Sequence, residues 1–194
     1  MTRSHIGALG AVSLPARPWL PVLLAAGLLP WAAVAQAPAG RPPPPRYLGA
    51  MQEELARVGL DPFCEAEGTT RARCSVRHVS DDGRRELVLH ADYSDESDTV
   101  YLHVPRVAVA PPEDEATALV LRRTAELNWR MLTTKVEWNP SDGEVRISAV
   151  LHTDSNFDRR AFRNLVRTVL RQAERYGPEL RRLAASSDEL TPGD

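Results

Sequence analysis

Two cysteines, a group of histidines and a ladder of arginines are the residues in this chain whose types and spacing could do chemistry. Cys64 and Cys74 are its only cysteines, ten residues apart with Gly68 between them as a bend. In an oxidising compartment such a pair closes into a disulfide, which stabilises by about 3 kcal/mol through the entropy of so short a loop. Redox-active pairs more often stand two residues apart, so the bridge is expected to be structural. His78, His90, His103 and His152 lie in the same region. "ELVLHADY" and "TVYLHV" alternate as strands do, which places His90 with Val88 and Asp92, and His103 with Tyr101, away from the leucine faces. If the hairpin between them centres on Glu96 and Ser97, the two imidazoles face each other. With Asp92 they could hold zinc, but nothing in the sequence supplies a supporting shell. Solvated strand histidines are the expected reading.

Arg159, Arg163, Arg167, Arg171 and Arg175 recur every fourth residue. On a helix this spacing makes one slowly winding stripe. Glu174 is among the few acids of that segment, so the stripe is mostly unpaired within its own helix. It is the candidate dock for an acidic partner or an anionic lipid surface, against the simpler reading of a solvated face. Other chemistry finds little support. No GxSxG elbow is present, and the acids on turns are ordinary solvated carboxylates. "VEWNPSDGEVRISAVL" has a polar centre that invites comparison with a calcium loop. The positions one, three and five of such a loop would be Trp138, Pro140 and Asp142, of which only Asp142 suits. Asp142-Gly143 is instead a turn between two strands, with Val145, Ile147, Ala149 and Leu151 facing a core. No catalytic residue, metal ligand set or cofactor is expected.

Something must hold these groups in place, and the 194 residues allow one domain with extensions. Arg3 and Arg17 precede the apolar run Trp19 to Ala35, which ends on Ala33-Val34-Ala35. Interrupted by Pro21, Gly27 and Pro30, the run is short for a spanning helix. It reads as a cleaved secretory signal over 1–35, with Gln36 the new N-terminus and a periplasmic or secreted product. The mature chain then carries 22 Lys+Arg against 26 Asp+Glu, a net charge of −4 after removal of two arginines. That balance argues against nucleic acid. Residues 36–46 hold four consecutive prolines, Pro42 to Pro45, and form an extended spacer. Residues 47–184 make the domain and 185–194 a frayed tail.

Within the domain, Leu48, Met51, Leu55 and Val58 have helical spacing and Gly59 stops them. Three alternating strands follow, "CSVRHV", "ELVLHADY" and "TVYLHV". Pro111-Pro112 and the acids Glu113 to Glu115 introduce a second helix with Ala116, Leu119, Val120, Leu127 and Met131 as its apolar stripe. "KVEW" and "EVRISAVL" form a hairpin. A long helix from about Asp158 to Leu183 closes the domain with Phe162, Leu165, Val166, Val169, Leu170, Ala173 and Tyr176 on one side. Short turns between strands predict an antiparallel sheet and the α+β class, in the order α-β-β-β-α-β-β-α.

The stretch from Leu127 to Leu180 carries Leu127-Asn128 near a helix end, an aromatic-bearing strand and Asp142-Gly143-Glu144-Val145 at a turn. Its long helix passes Tyr176 before Pro178-Glu179-Leu180. With the order of elements, these cues resemble the YbjN-domain family, whose fold is similar to that of type III secretion chaperones. The family is usually described as sensory transduction regulators and is not known for conserved catalytic residues. The resemblance therefore implies a non-catalytic, protein-binding regulatory role and assigns no site. A leader for export departs from the cytoplasmic habit of secretion chaperones. The expected function is an exported interaction module with an unidentified protein partner, which could pair with a second copy of itself. The alternative is an exported metal- or small-ligand-binding protein that uses the His90/His103 face.

Overall fold

The computed structural model describes residues 43–80, 83–154 and 156–186. Residues 1–35 read above as a leader, most of the proline spacer, Asp82 of the Asp82-Gly83 turn and the tail from residue 187 lie outside the described residues. Nine elements follow one another: α1 (Leu48–Arg57), β1 (Pro62–Glu67), β2 (Arg71–Val79), β3 (Glu86–Ser94), β4 (Thr99–Val109), α2 (Thr117–Arg130), β5 (Lys135–Trp138), β6 (Glu144–His152) and α3 (Arg159–Ala184). All six strands join one antiparallel sheet in the order β1-β2-β3-β4-β6-β5. The class is α+β. Four strands precede α2, one more than the sequence order predicts. The additional strand, β1, carries Phe63, Glu65 and Glu67 on its outward side and is exposed at most positions. Its other side carries only Pro62, Cys64 and Ala66, too little apolar bulk to make the alternation by which strands are recognised stand out.

Alternation puts Ala72, Cys74 and Val76 of β2, Leu87, Leu89 and Ala91 of β3, and Val145, Ile147, Ala149 and Leu151 of β6 on the core side. Over that side lies α3, which buries Phe162, Val166, Val169, Leu170, Ala173 and Leu180. Fully burying each of the larger side chains stabilises by about 1.5–3 kcal/mol. Asp158 starts α3 by accepting a 2.8 Å hydrogen bond from the Ala161 N–H, which satisfies one of the orphan donors of the first turn. The second helix starts later than its prolines suggest. Residues from Pro111 to Ala116 form a turn, and the Thr117 hydroxyl donates back to the Pro111 carbonyl. Its core side is Thr117, Val120, Thr124 and Leu127. Leu119, predicted to face inward, is exposed.

Two details fix the remaining geometry. In the β5–β6 turn Gly143 has φ +69° and its Hα side lies against the Ala110 and Pro111 backbone; a Cβ there would meet Ala110 O at 2.6 Å. Only glycine fits both conditions. At the other edge Cys64 and Cys74 stand opposite each other in the β1–β2 register and are joined by a disulfide. Reduction is expected to lower the melting temperature by about 10 °C, the equivalent of about 3 kcal/mol in a domain of this size. Identical melts with and without reductant would deny the bridge any stabilising part.

Candidate functional site

The outward side of the sheet carries the polar cross-strand rows. His90 and His103 occupy partner positions in the β3–β4 ladder, with ring centroids 5.2 Å apart. They sit where that ladder ends, because β4 swings away past Val104 through a register shift and Arg106 at φ +50°. The Ser75 hydroxyl lies 2.9 Å from His90 Nδ1. Tyr101 donates to Glu137, and Arg73 holds Asp92 at 2.6 Å. His103 is only 8 % exposed, and its Nδ1 has no hydrogen-bond partner. Burial pushes its pKa down to about 4, with Asp92 pulling the other way. Burial also lowers that of His90. The sequence thus places the two imidazoles together correctly. A third ligand is lacking: His103 Nε2 is 3.8 Å from Asp92 while Asp92 is engaged by Arg73. Among the described residues no group of three or more His, Cys, Asp or Glu side chains is arranged to hold a metal ion.

The arginine ladder divides in two. Arg159 and Arg163, at the start of α3, turn towards α1 and close on Glu54, which is fully buried. Arg159 also reaches Glu53 at 2.7 Å, and Arg57 approaches Glu54 at 3.6 Å. Burial pulls the Glu54 carboxyl upward, but the hydrogen bonds from Arg159 and Arg163 and the Arg163 and Arg57 charges outweigh it. The carboxyl therefore lies below its ordinary value. These two arginines belong to an internal ion cluster rather than to an open stripe. Arg167, Arg171 and Arg175 remain exposed. The first two border a small hollow with Val58, Leu60 and His78, and Arg175 lies over the Tyr176 ring.

A third region was not legible as a site. Where α2 ends, Trp129 is 91 % exposed and Leu132 is 98 % exposed. Leu132 stands on the rim of a groove of about 1010 Å³ that Met131, Ala161 and Leu165 also line, with Val150 and His152 of β6. Asn128 organises its upper end. Its amide donates to the Val136 carbonyl at 3.0 Å and its carbonyl accepts from the Val136 N–H at 2.8 Å. One side chain thus substitutes for a neighbouring strand along the outer edge of β5. A contiguous apolar patch rimmed by polar groups marks a contact surface, and Leu132 and Val150 are both exposed along this groove. The available signal was "LNWRML", whose Trp129 and Leu132 fall off the apolar stripe that Leu127 and Val120 define.

None of the three regions is an assembled catalytic centre. Ser75 and His90 form a hydroxyl–imidazole pair, but among the described residues no carboxylate hydrogen-bonds to that imidazole to orient it. Among the described residues no helix is long and apolar enough to cross a membrane. No curated protein matches the chain. Residues 52–182, from the second turn of α1 almost to the end of α3, match the model of a family described as "Putative bacterial sensory transduction regulator". That description is of a regulator and not of an enzyme. The chain belongs to the YbjN family.

Proposed function

We propose that this protein is an exported, non-catalytic regulatory module that acts by binding another protein through the α2–β6–α3 groove. The observation that supports it is Leu132, almost fully exposed on the rim of an apolar groove, with the equally exposed Trp129 three residues before it in the chain; neither contributes to the protein's own core. Anchors of this kind, an aromatic and an aliphatic side chain at a pocket, supply most of the affinity of protein interfaces. Arg167, Arg171 and Arg175 add positive charge on another part of α3 and suit electrostatic attraction of an acidic partner. Export rests on the leader 1–35, and mass spectrometry of the envelope protein should find a chain that begins at Gln36.

A photo-crosslinker placed at position 132 is expected to join the protein to one partner in envelope extracts. Trp129→Asp with Leu132→Asp should reduce that partner's capture at least about tenfold, with an unchanged melting temperature because neither side chain is buried. Undiminished capture by the double variant would move the interaction off this surface.

A further inference from the structure

The groove beside Leu132 is also a break in the sheet. Strand β6 runs to His152, but β5 pairs only with Val145 to Ser148. The direction in which the remaining backbone groups point follows from what is bonded. Val136 gives both its backbone groups to Asn128, so its neighbours Lys135 and Glu137 face Ser148 and Arg146 across the ladder. With the period of two along a strand, the N–H and C=O of Val150 and His152 face the same side as those of Ser148. The opposite set is fixed independently, since the Thr153 N–H donates to Asp98 O on the β4 side at 2.7 Å. Val150 and His152 therefore present ladder groups to the groove, where no described strand pairs with them.

Other openings in the sheet are guarded. Asn128 caps β5. The outer edge strand β1 begins with Pro62 and bears Glu65 and Glu67, features that discourage added strands. Where β3 and β4 part beyond His90 and His103, Arg181 of α3 enters and donates to the Val107 carbonyl at 2.7 Å. The stretch Ala149–His152 has no such device.

We infer that this slot takes an extended segment of a partner protein, apolar on one side and acidic on the other, as an added β-strand. The inference rests on the interaction reading above and names the partner's chemistry. Four residues of open edge span about 14 Å at about 3.4 Å per residue, enough for a short strand. Alternate side chains of that strand would meet Met131, Ala161 and Leu165. The intervening ones would lie on the outward side with Val150, Lys135 and His152. Among the described residues the titratable groups lining the groove are Lys135 and His152, with no carboxylate among them. An acidic outward side is the complementary one. Main-chain bonds provide the attachment and the alternating pockets the choice of sequence, as in other cases of strand addition.

The probe is the fluorescent heptapeptide DVEVEVD, added to the full chain. It is expected to bind with Kd below about 100 μM at low salt and several-fold more weakly in about 0.5 M NaCl. The same peptide N-methylated at alternate, groove-facing amides keeps its side chains and should lose at least about tenfold. Val150→Pro removes an N–H that faces the groove and not β4, and should abolish binding. Should that variant fail to fold, Lys135→Glu on the exposed rim should still weaken binding several-fold. Equal affinity for the N-methylated peptide would overturn strand addition. So would a dimer of the chain that Val150→Pro dissolves, which gives the slot to a second copy. A chain that binds the peptide only after residues 1–42 are removed gives it to the leader and overturns the proposal likewise. If the peptide does not bind while capture through position 132 persists, strand addition falls and the interaction reading stands. Loss of both removes the reading beneath it.

Discussion

Arg163→Glu should lower the melting temperature by about 10 °C or more, whereas Arg167→Glu and Arg171→Glu should leave it within about 2 °C. The three positions are equivalent in sequence, one turn apart on the same helix. They differ in what lies opposite. Arg163 hydrogen-bonds to the carboxylate of Glu54, which has no access to water and depends on Arg159, Arg163 and Arg57 for compensation. Removing one partner of a fully buried pair costs about 3–5 kcal/mol; Arg163 is partly exposed, so the lower end applies, and a second carboxylate in its place adds like-charge repulsion. Arg167 and Arg171 face solvent, where charge changes cost little. Thermal melts of the three single variants decide the matter. Equal melting temperatures would mean that the Glu54 cluster contributes nothing to stability.

Acid should destabilise the protein through His103 before most of its carboxylates titrate. In the unfolded chain this imidazole has its ordinary value near 6.5, and in the fold it lies at about 4. The neutral form is therefore the one the fold prefers. Burial is the main cause; Arg146 and His90 add to it, while Asp92 and Glu137 oppose it. The stabilisation is complete above pH 6.5, is lost as the pH falls towards 4, and levels off below. Its full size is up to about 3.5 kcal/mol, the difference between 6.5 and about 4 converted at about 1.4 kcal/mol per tenfold. His90 is shifted in the same direction and adds to the slope. Denaturant midpoints measured from pH 7.5 to pH 4 should fall steeply in the natural protein and much less in His103→Leu. That substitution is tolerable because His103 Nδ1 makes no hydrogen bond to lose. An unchanged slope in the variant would transfer the acid sensitivity to other groups.

The elements that repeat apolar residues at a fixed period were legible from sequence, and so was what depends on register alone. The inward residues of β3 and β6, the buried side of α3, the Cys64–Cys74 pairing and the meeting of His90 with His103 all follow from counting. Features that depend on another element were not. Glu54 stands beside Leu55 in an otherwise regular helix, and only the arrival of α3 shows why an acid is buried there. The same event withdraws Arg159 and Arg163 from the stripe whose spacing was read correctly. Strand β1 escaped notice because its partner supplies most of the core and, apart from Pro62 and Cys64, its own side chains face water. The open edge of β6 is a mismatch in length between two strands, and no single segment contains that information.

The Glu54 cluster also sets an order of events during synthesis. The carboxylate lies in the first helix of the domain, and two of the arginines that neutralise it lie in the last. Tyr47 and Phe157 stack across the same distance along the chain. A polypeptide emerging N-terminus first can build the β1–β2–β3–β4 meander from neighbouring segments, since each pairing closes a short loop. It can lay α1 on β1 and β2, but Glu54 has no arginine from α3 to close on until that helix has been made, and β6 must first travel past α2 to reach β4. The nascent domain therefore displays the apolar side of its meander for most of its own translation. Contacts so distant in sequence slow the final step, and in that interval exposed strands are most prone to aggregate. A helper that shields the meander until α3 arrives would raise the yield of folded protein without altering its final stability.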